Sequence, residues 1–541
     1  MSKSSEGTAP GGIAAPFVPA AEWRPKVNPW LITIVVSLAA FMEVLDTSIA
    51  NVALPYMAGN LAASNDESTW VLTSYLVSNA IVLPISGWLV GVFGRKRFFL
   101  TCILLFTLSS FFCGIAPSLG FLLLARVLQG AGGGGLQPMA QAILADTFPP
   151  AERGLAFALY GLTAVLAPTI GPTLGGWITD NYAWRWIFLI NVPVGLLALG
   201  LVLRLVEDPP YLTRARGQTG RFDYLGFSLL VLGVGALQIL LDKGQEDDWF
   251  GSRFITTLAL IAAVCLVALA LYEWSRKDPI IDLHLFTNVN FLSATLMMLM
   301  LGIVYFSSLV MMPQFLQTLM GYTAGTAGLA LSASGLVLLA EMPLVGQLAS
   351  RVQARVLISL GWAGITLAMV YSAQRFDLLI SFGSATWMRV AQAAALPLLF
   401  IPINLAAYVG LPAEKNNNAA GLLNFMRNIG SSIGTSLVTT LIARRAQFHQ
   451  VHLVSRLAND NPFFQAQMNG LAHQLAAAGL GTPQALQQAY GRLYGLVEGQ
   501  AQTLAYIDTF WLLALCGAVM VGLSFFLKKN DPRVGGRVVA H

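Results

Sequence analysis

Five ionisable side chains stand inside strongly apolar stretches of this sequence: Glu43, Asp46, Arg126, Glu341 and Arg427. Charged groups at bilayer depth are costly, and they turn toward a protein interior or a water-filled cavity where they serve proton or substrate movement. Glu43, Asp46, Thr47 and Asn51 recur at helical spacing, which gathers them on one face of a helix. A carboxylate in such a place gains or loses charge with a proton, and that change alters which packing of the surrounding helices is favoured. Arg126 keeps its charge, so it requires a carboxylate, backbone carbonyls or water. Two readings fit it: a structural ion, or a partner that holds Asp46 ionised. Glu341, just before Pro343, also has two readings, as a proton site or as an interfacial residue near a span end.

The elements that carry these groups follow from composition. The 541 residues are 56% hydrophobic and 11% charged, with mean hydropathy +0.67, against about 25% charged in soluble domains. Apolar stretches of roughly 18 residues or more recur along the chain, each long enough to cross a hydrocarbon core about 30 Å thick as a helix. Alternating barrel strands are absent. The chain reads as an all-α integral membrane protein with about fourteen spans. The net charge of +5 is explained by basic loops rather than by nucleic acid. Cys102, Cys113, Cys265 and Cys516 have no metal-ligand spacing, and the five histidines fall in predicted loops or the tail. No lysine sits in a nucleotide-binding loop, and no nucleophile elbow or zinc-protease motif occurs. An enzyme is disfavoured, no metal or cofactor is called for, and transport driven by an ion gradient remains.

Basic residues collect in alternate connections, including Arg95, Lys96 and Arg97; Arg204, Arg214, Arg216 and Arg221; and Lys528, Lys529, Arg533 and Arg537. The positive-inside rule makes those connections cytoplasmic, with both termini inside. The organisation predicted is a cytoplasmic tail over 1–28, a six-helix bundle over 29–206, and a cytoplasmic linker over 207–222. Two additional spans follow over 223–274, then a linker over 275–289, a second six-helix bundle over 290–527 and a tail over 528–541. The echo of Arg126-Val127-Leu128-Gln129-Gly130 in Arg389-Val390-Ala391-Gln392-Ala393 supports six plus two plus six, because transporter folds are commonly built from repeats. Within the second bundle, 444–502 is a long external loop with the pattern of a helical hairpin, in which Thr482 caps a helix begun at Pro483. It is either a docking surface or a solvated loop.

Other motifs concern movement and cargo. The loop Gly87 to Arg97 joins glycines for a tight turn at Gly87 and Gly94 to a basic triplet led by Arg95, which fits a conformational contact or a simple juxtamembrane anchor. Gly130 and Gly132 to Gly135 leave a face almost without side chains. Pro168 and Pro172 kink one span, and Gly171, Gly175 and Gly176 give it a small-residue packing face. Polar and soft side chains at span depth are the candidate cavity lining: Asn51, Gln129, Gln137, Met298, Tyr305, Gln314, Gln317 and Asn424. Core packing is the other reading of any single Met.

Together, Leu45 to Pro55, Gly87 to Lys96, Arg126 to Gly130, Pro168 to Gly176, Trp184 to Gly195 and Leu241 to Phe250 resemble the fourteen-span drug:proton antiporters of the major facilitator superfamily, in particular the EmrB type. The resemblance implies two six-helix bundles around a central cavity and multidrug efflux of hydrophobic or amphipathic compounds in exchange for protons. It further implies an inner-membrane location, and a periplasmic adaptor with an outer-membrane channel as partners. It assigns Asp46 and Asn51 to the first-span signature, Arg126 to the fourth-span arginine linked to proton transfer, and Gly171, Pro172, Gly175 and Gly176 to the fifth-span antiporter motif. Gly91 stands where the superfamily loop commonly has an acid, which puts the usual charge network that latches the cytoplasmic side in doubt. Import, export of one metabolite or siderophore, and a non-transporting scaffold or receptor are the competing readings.

Overall fold

In the computed structural model, residues 25–209, 223–276, 278–455, 457 and 461–527 are described. Most of the expected N-terminal tail, the linker residues Arg214, Arg216 and Arg221, and the tail residues Lys528, Lys529, Arg533 and Arg537 lie outside them. The first half comprises α1 (Pro29–Asn60), α2 (Asn65–Phe93), α3 (Arg95–Gly114), α4 (Leu119–Thr147), α5 (Pro150–Asn181) and α6 (Trp186–Leu205). Next come α7 (Tyr224–Lys243) and α8 (Arg253–Ser275). The second half contains α9 (Val289–Thr318), α10 (Ala324–Ala349), α11 (Ala354–Arg375), α12 (Phe382–Ala407), α13 (Asn416–Val454), α14 (Pro462–Ala477) and α15 (Thr482–Ser524).

Local sequence explains where several of these begin. Asn28 accepts from the Trp30 amide at 2.9 Å ahead of Pro29, a residue whose missing N–H costs nothing at a helix start. Ser64 and Glu67 exchange bonds of 3.1 and 2.8 Å in a capping box that starts α2. Gly94, at φ 84°, makes the sharp turn from α2 into α3.

Thirteen helices among the described residues are long and apolar enough to cross a membrane. The remaining expected span, α13, falls short in apolarity because it carries Asn416, Asn417, Asn424 and Arg427, all buried. It lies at the centre, packed on α2, the second part of α4, α7, α9 and α15, so it meets protein where other spans meet lipid. By contrast α8 packs mainly on α7 and leaves Leu260, Val264, Val267 and Leu271 exposed, a surface that only a bilayer covers favourably.

The halves meet along α5 with α10 and α2 with α13, and α7 lies against both α2 and α13. Apolar attraction between helices vanishes in lipid, so close packing depends on small residues. At Gly171 an added Cβ would stand 2.4 Å from Ser48 Oγ, which keeps α5 against α1.

Most of the described residues of 444–502 are helical, in keeping with the hairpin pattern. α13 runs on to Val454, so His449 and His452 sit on a helix, and α14 pairs with the first part of α15 through Met468, Leu475, Ala485 and Ala489. Thr482 is the first helical residue and does not cap: Gly481 takes that place, with no side-chain bond to the amides.

Candidate functional site

Asp46 is buried on α1, and its Oδ2 accepts from Arg126 Nη1 of α4 at 2.6 Å. Its Oδ1 accepts from Gln129 Nε2 at 2.9 Å and from Asn191 Nδ2 of α6 at 2.7 Å. Arg126 also donates from Nε to the Val71 carbonyl at 3.0 Å and from Nη1 to Gln129 Oε1 at 2.7 Å, with its guanidinium 4.3 Å from the Tyr75 ring centroid. Gly130 makes this reach feasible, since any Cβ there would lie 2.4 Å from the Tyr75 carbonyl, so α4 rides directly on α2. One proton on Asp46 would cancel the charge that ties α1 to α4 and α6.

Glu43, also buried, has no ion-pair partner in contact among the described residues. It accepts from Tyr75 OH and Asn79 Nδ2, each at 3.1 Å, and from Gln137 Nε2. Gln137 Oε1 in turn accepts from Arg427 Nη2 on α13 and from Tyr160 OH at 3.3 Å. A single amide therefore couples a carboxylate of one half to a cation of the other. Asn428 to Asn79 at 3.2 Å and Asn424 to Gln141 at 2.8 Å run alongside it across the same boundary.

Near the Gly94 turn, a buried polar cluster joins the halves. Arg95 is buried against Asp146 of α4, and its Nε donates to Asn417 Oδ1 at 3.1 Å. Asn416 Nδ2 donates to Asp146 Oδ1 at 2.6 Å. Gly87 faces Asn418, with room for no side chain. Asp146 and three asparagines of α13 thus bridge the halves without an acid at Gly91.

On α5, Pro172 has no N–H to give the Pro168 carbonyl four residues back. Ser48 Oγ of α1 donates to that carbonyl at 3.3 Å instead. Gly175 and Gly176 continue the seam against Ile49 and Val52. The proline pair is therefore satisfied by the neighbouring helix, as kinked spans require.

The second half repeats part of this arrangement. Arg389 of α12 donates from Nη1 to Gln392 Oε1 at 3.0 Å, and Gln392 Nε2 donates to Ser372 Oγ of α11 at 2.9 Å. These match Arg126, Gln129 and the 2.7 Å bond from Gln129 Nε2 to Ser110 Oγ of α3. Tyr305 OH and Ser308 Oγ of α9 accept from Arg389 at 2.7 and 3.3 Å, and no carboxylate pairs with it among the described residues.

Not every expected residue joins these networks. Asn51 is exposed and turns back to the Thr47 carbonyl at 3.3 Å, because it lies beyond the reach of the Asp46 cluster on the same helix. Gln314 and Gln317 are exposed, while Met298 is packed in the apolar core, so core packing accounts for it. Glu341 is half-buried with one carboxylate oxygen unpartnered and enters neither network. Tyr75, Asn79, Asn191 and Arg389 were not among the sequence candidates. Tyr75 and Asn79 one turn apart in an apolar span, and the repeat of Arg126 at Arg389, were the available signals.

A Major Facilitator Superfamily profile matches residues 36–435. The chain is 38% identical to the multidrug export protein EmrB of Escherichia coli over 511 residues, 94% of this chain and 98% of that protein. It is 39% identical to the Haemophilus influenzae protein of that name, over 92% and 95% of the two chains. In fold it is similar to the proton:xylose symporter XylE, with a TM-score of 0.63 over 94% of this chain and 98% of that one at 13% identity. Two pseudo-repeated helix bundles, a buried carboxylate–arginine pair and these matches agree: the chain belongs to the major facilitator superfamily, within its EmrB-type branch.

Proposed function

We propose that this protein exports hydrophobic or amphipathic toxic compounds and drugs across the inner membrane in exchange for protons, by alternating access. The observation that carries the reading is the Asp46–Arg126 pair, a titratable group placed where its charge holds three helices together. Ionised, Asp46 keeps α1 on α4 and α6. Protonated, it releases Arg126 to its carbonyl and ring contacts and allows a different packing. Glu43 is the second proton site, and through Gln137 and Arg427 it reports its state to the other half. The proton gradient is the energy source, without a cofactor, and the chain acts as a transporter rather than an enzyme. The names of the EmrB-type relatives support a broad drug range.

In this reading 29–206 and 290–527 are the rocking bundles, and both termini are cytoplasmic. The hairpin of α14 with the first part of α15 then projects outside as the docking surface for a periplasmic adaptor, and through it an outer-membrane channel. Deleting 455–500 is expected to abolish adaptor crosslinking with membrane insertion intact; unchanged crosslinking would remove that partner. For transport itself, purified protein in liposomes should move an amphipathic drug only while a pH gradient is imposed. Asp46→Asn should insert normally and lose that dependence, and full gradient-driven transport by this variant would contradict the role given to Asp46.

A further inference from the structure

The repeat relation leaves a charge unexplained. Arg389 is 1% exposed, cannot be deprotonated, and faces only neutral acceptors. Its Nε–H has no hydrogen-bond partner among the described residues, and Tyr305 OH, which accepts from Nη2, has no acceptor for its own proton there. A buried cation without a counter-ion is strongly unfavourable, and its repeat-mate Arg126 avoids the cost with Asp46.

A second, independent feature lies at the same spot. Gly302–Phe306 of α9 is a π-helical turn, a rare form that occurs most often at functional sites. It aims Tyr305 at Arg389 and sets half-buried Phe306 under Arg427, 5.9 Å from the ring centroid to the guanidinium carbon. Arg427 too has an amide, not a carboxylate, as its hydrogen-bond acceptor. The turn therefore sits between two cations of the second half that lack an acid in contact.

We propose that Arg389, with Tyr305 OH, receives the anionic group of the transported compound, so that the second half selects acidic amphipaths while the first half handles protons. The inference rests on the export reading above. The ligand supplies in trans the carboxylate that Asp46 supplies to Arg126 in cis, and Arg389 Nε–H and Tyr305 O–H are the donors that await it.

Ser308→Asp tests this directly, because Ser308 Oγ already stands 3.3 Å from Arg389 Nη1 and the variant fills the site from within. Liposome export is measured for dodecanoate and for dodecyltrimethylammonium, equal chains of opposite charge. The expected result is a loss of roughly tenfold or more for dodecanoate, the scale of one desolvated charge pair, with the cation moved at the wild-type rate. Arg389→Gln, which removes the charge without adding one, is expected to give the same split and serves if Ser308→Asp does not accumulate. Equal loss of both compounds, or unchanged dodecanoate export, overturns the proposal while leaving the export reading in place. Failure of the wild-type protein to move either compound overturns both.

Discussion

Arg126 and Arg389 occupy matching places in the two halves, each on the fourth helix of its bundle, each bonded to a glutamine one turn on and through it to a serine of the third helix. What differs is the first helix of each bundle. α1 offers Asp46, whereas α9 offers Tyr305 and Ser308. The same framework thus carries a closed ion pair on one side and an open cation on the other. A duplicated scaffold can divide its work by changing one acceptor, because a carboxylate titrates and a phenol or serine hydroxyl does not in the ordinary pH range.

The largest effect that can break this comparison comes from Asp46→Ala. It leaves Arg126 buried and unpaired, and is expected to destabilise the protein by about 3–5 kcal/mol, read by unfolding in detergent. Replacing both Asp46 and Arg126 by leucine should recover much of that loss. Arg389→Gln has no carboxylate to strand and removes a buried charge that lacks a counter-ion, which offsets its lost hydrogen bonds, so a cost of about 1 kcal/mol or less is expected in the same assay. Equal costs for Asp46→Ala and Arg389→Gln would mean the two halves are balanced alike.

Next in size is the seam between α1 and α5. Gly171→Val puts side-chain atoms where Ser48 already stands, and about 1–3 kcal/mol of overpacking is expected, with slowed transport. Ser48→Ala removes only the donor to the Pro168 carbonyl, for which about 0.6 kcal/mol is the typical membrane value. A cost near that of Gly171→Val would show that the proline break, rather than close packing, governs the seam.

Much of this architecture is legible in residue types. Composition and apolar run lengths disclose the spans, and the Arg-x-x-Gln echo discloses the repeat, because a bilayer punishes polar residues and so makes each one conspicuous. The same logic singles out Asp46 and Arg126 one by one, while their contact is disclosed only by the structure. Which partners close each network is not legible: Asn191, Gln137 and Asp146 reach their neighbours only through helix rotation and crossing, and those are set by glycines acting jointly across several helices. The Gly91 departure illustrates this, since Asp146 and the asparagines of α13 replace the absent acid from distant positions in the chain. The 444–502 segment was readable as helical by its spacing, but its continuity with α13 and α15 was not.

Proton release on drug binding tests the central claim most directly. Purified protein in weakly buffered detergent, with a pH-indicator dye, is mixed with a saturating amphipathic drug. Wild-type protein is predicted to release protons, and the Asp46→Asn, Glu43→Gln double variant to bind the drug and release none. Equal release from both would contradict the assignment of the proton sites to α1.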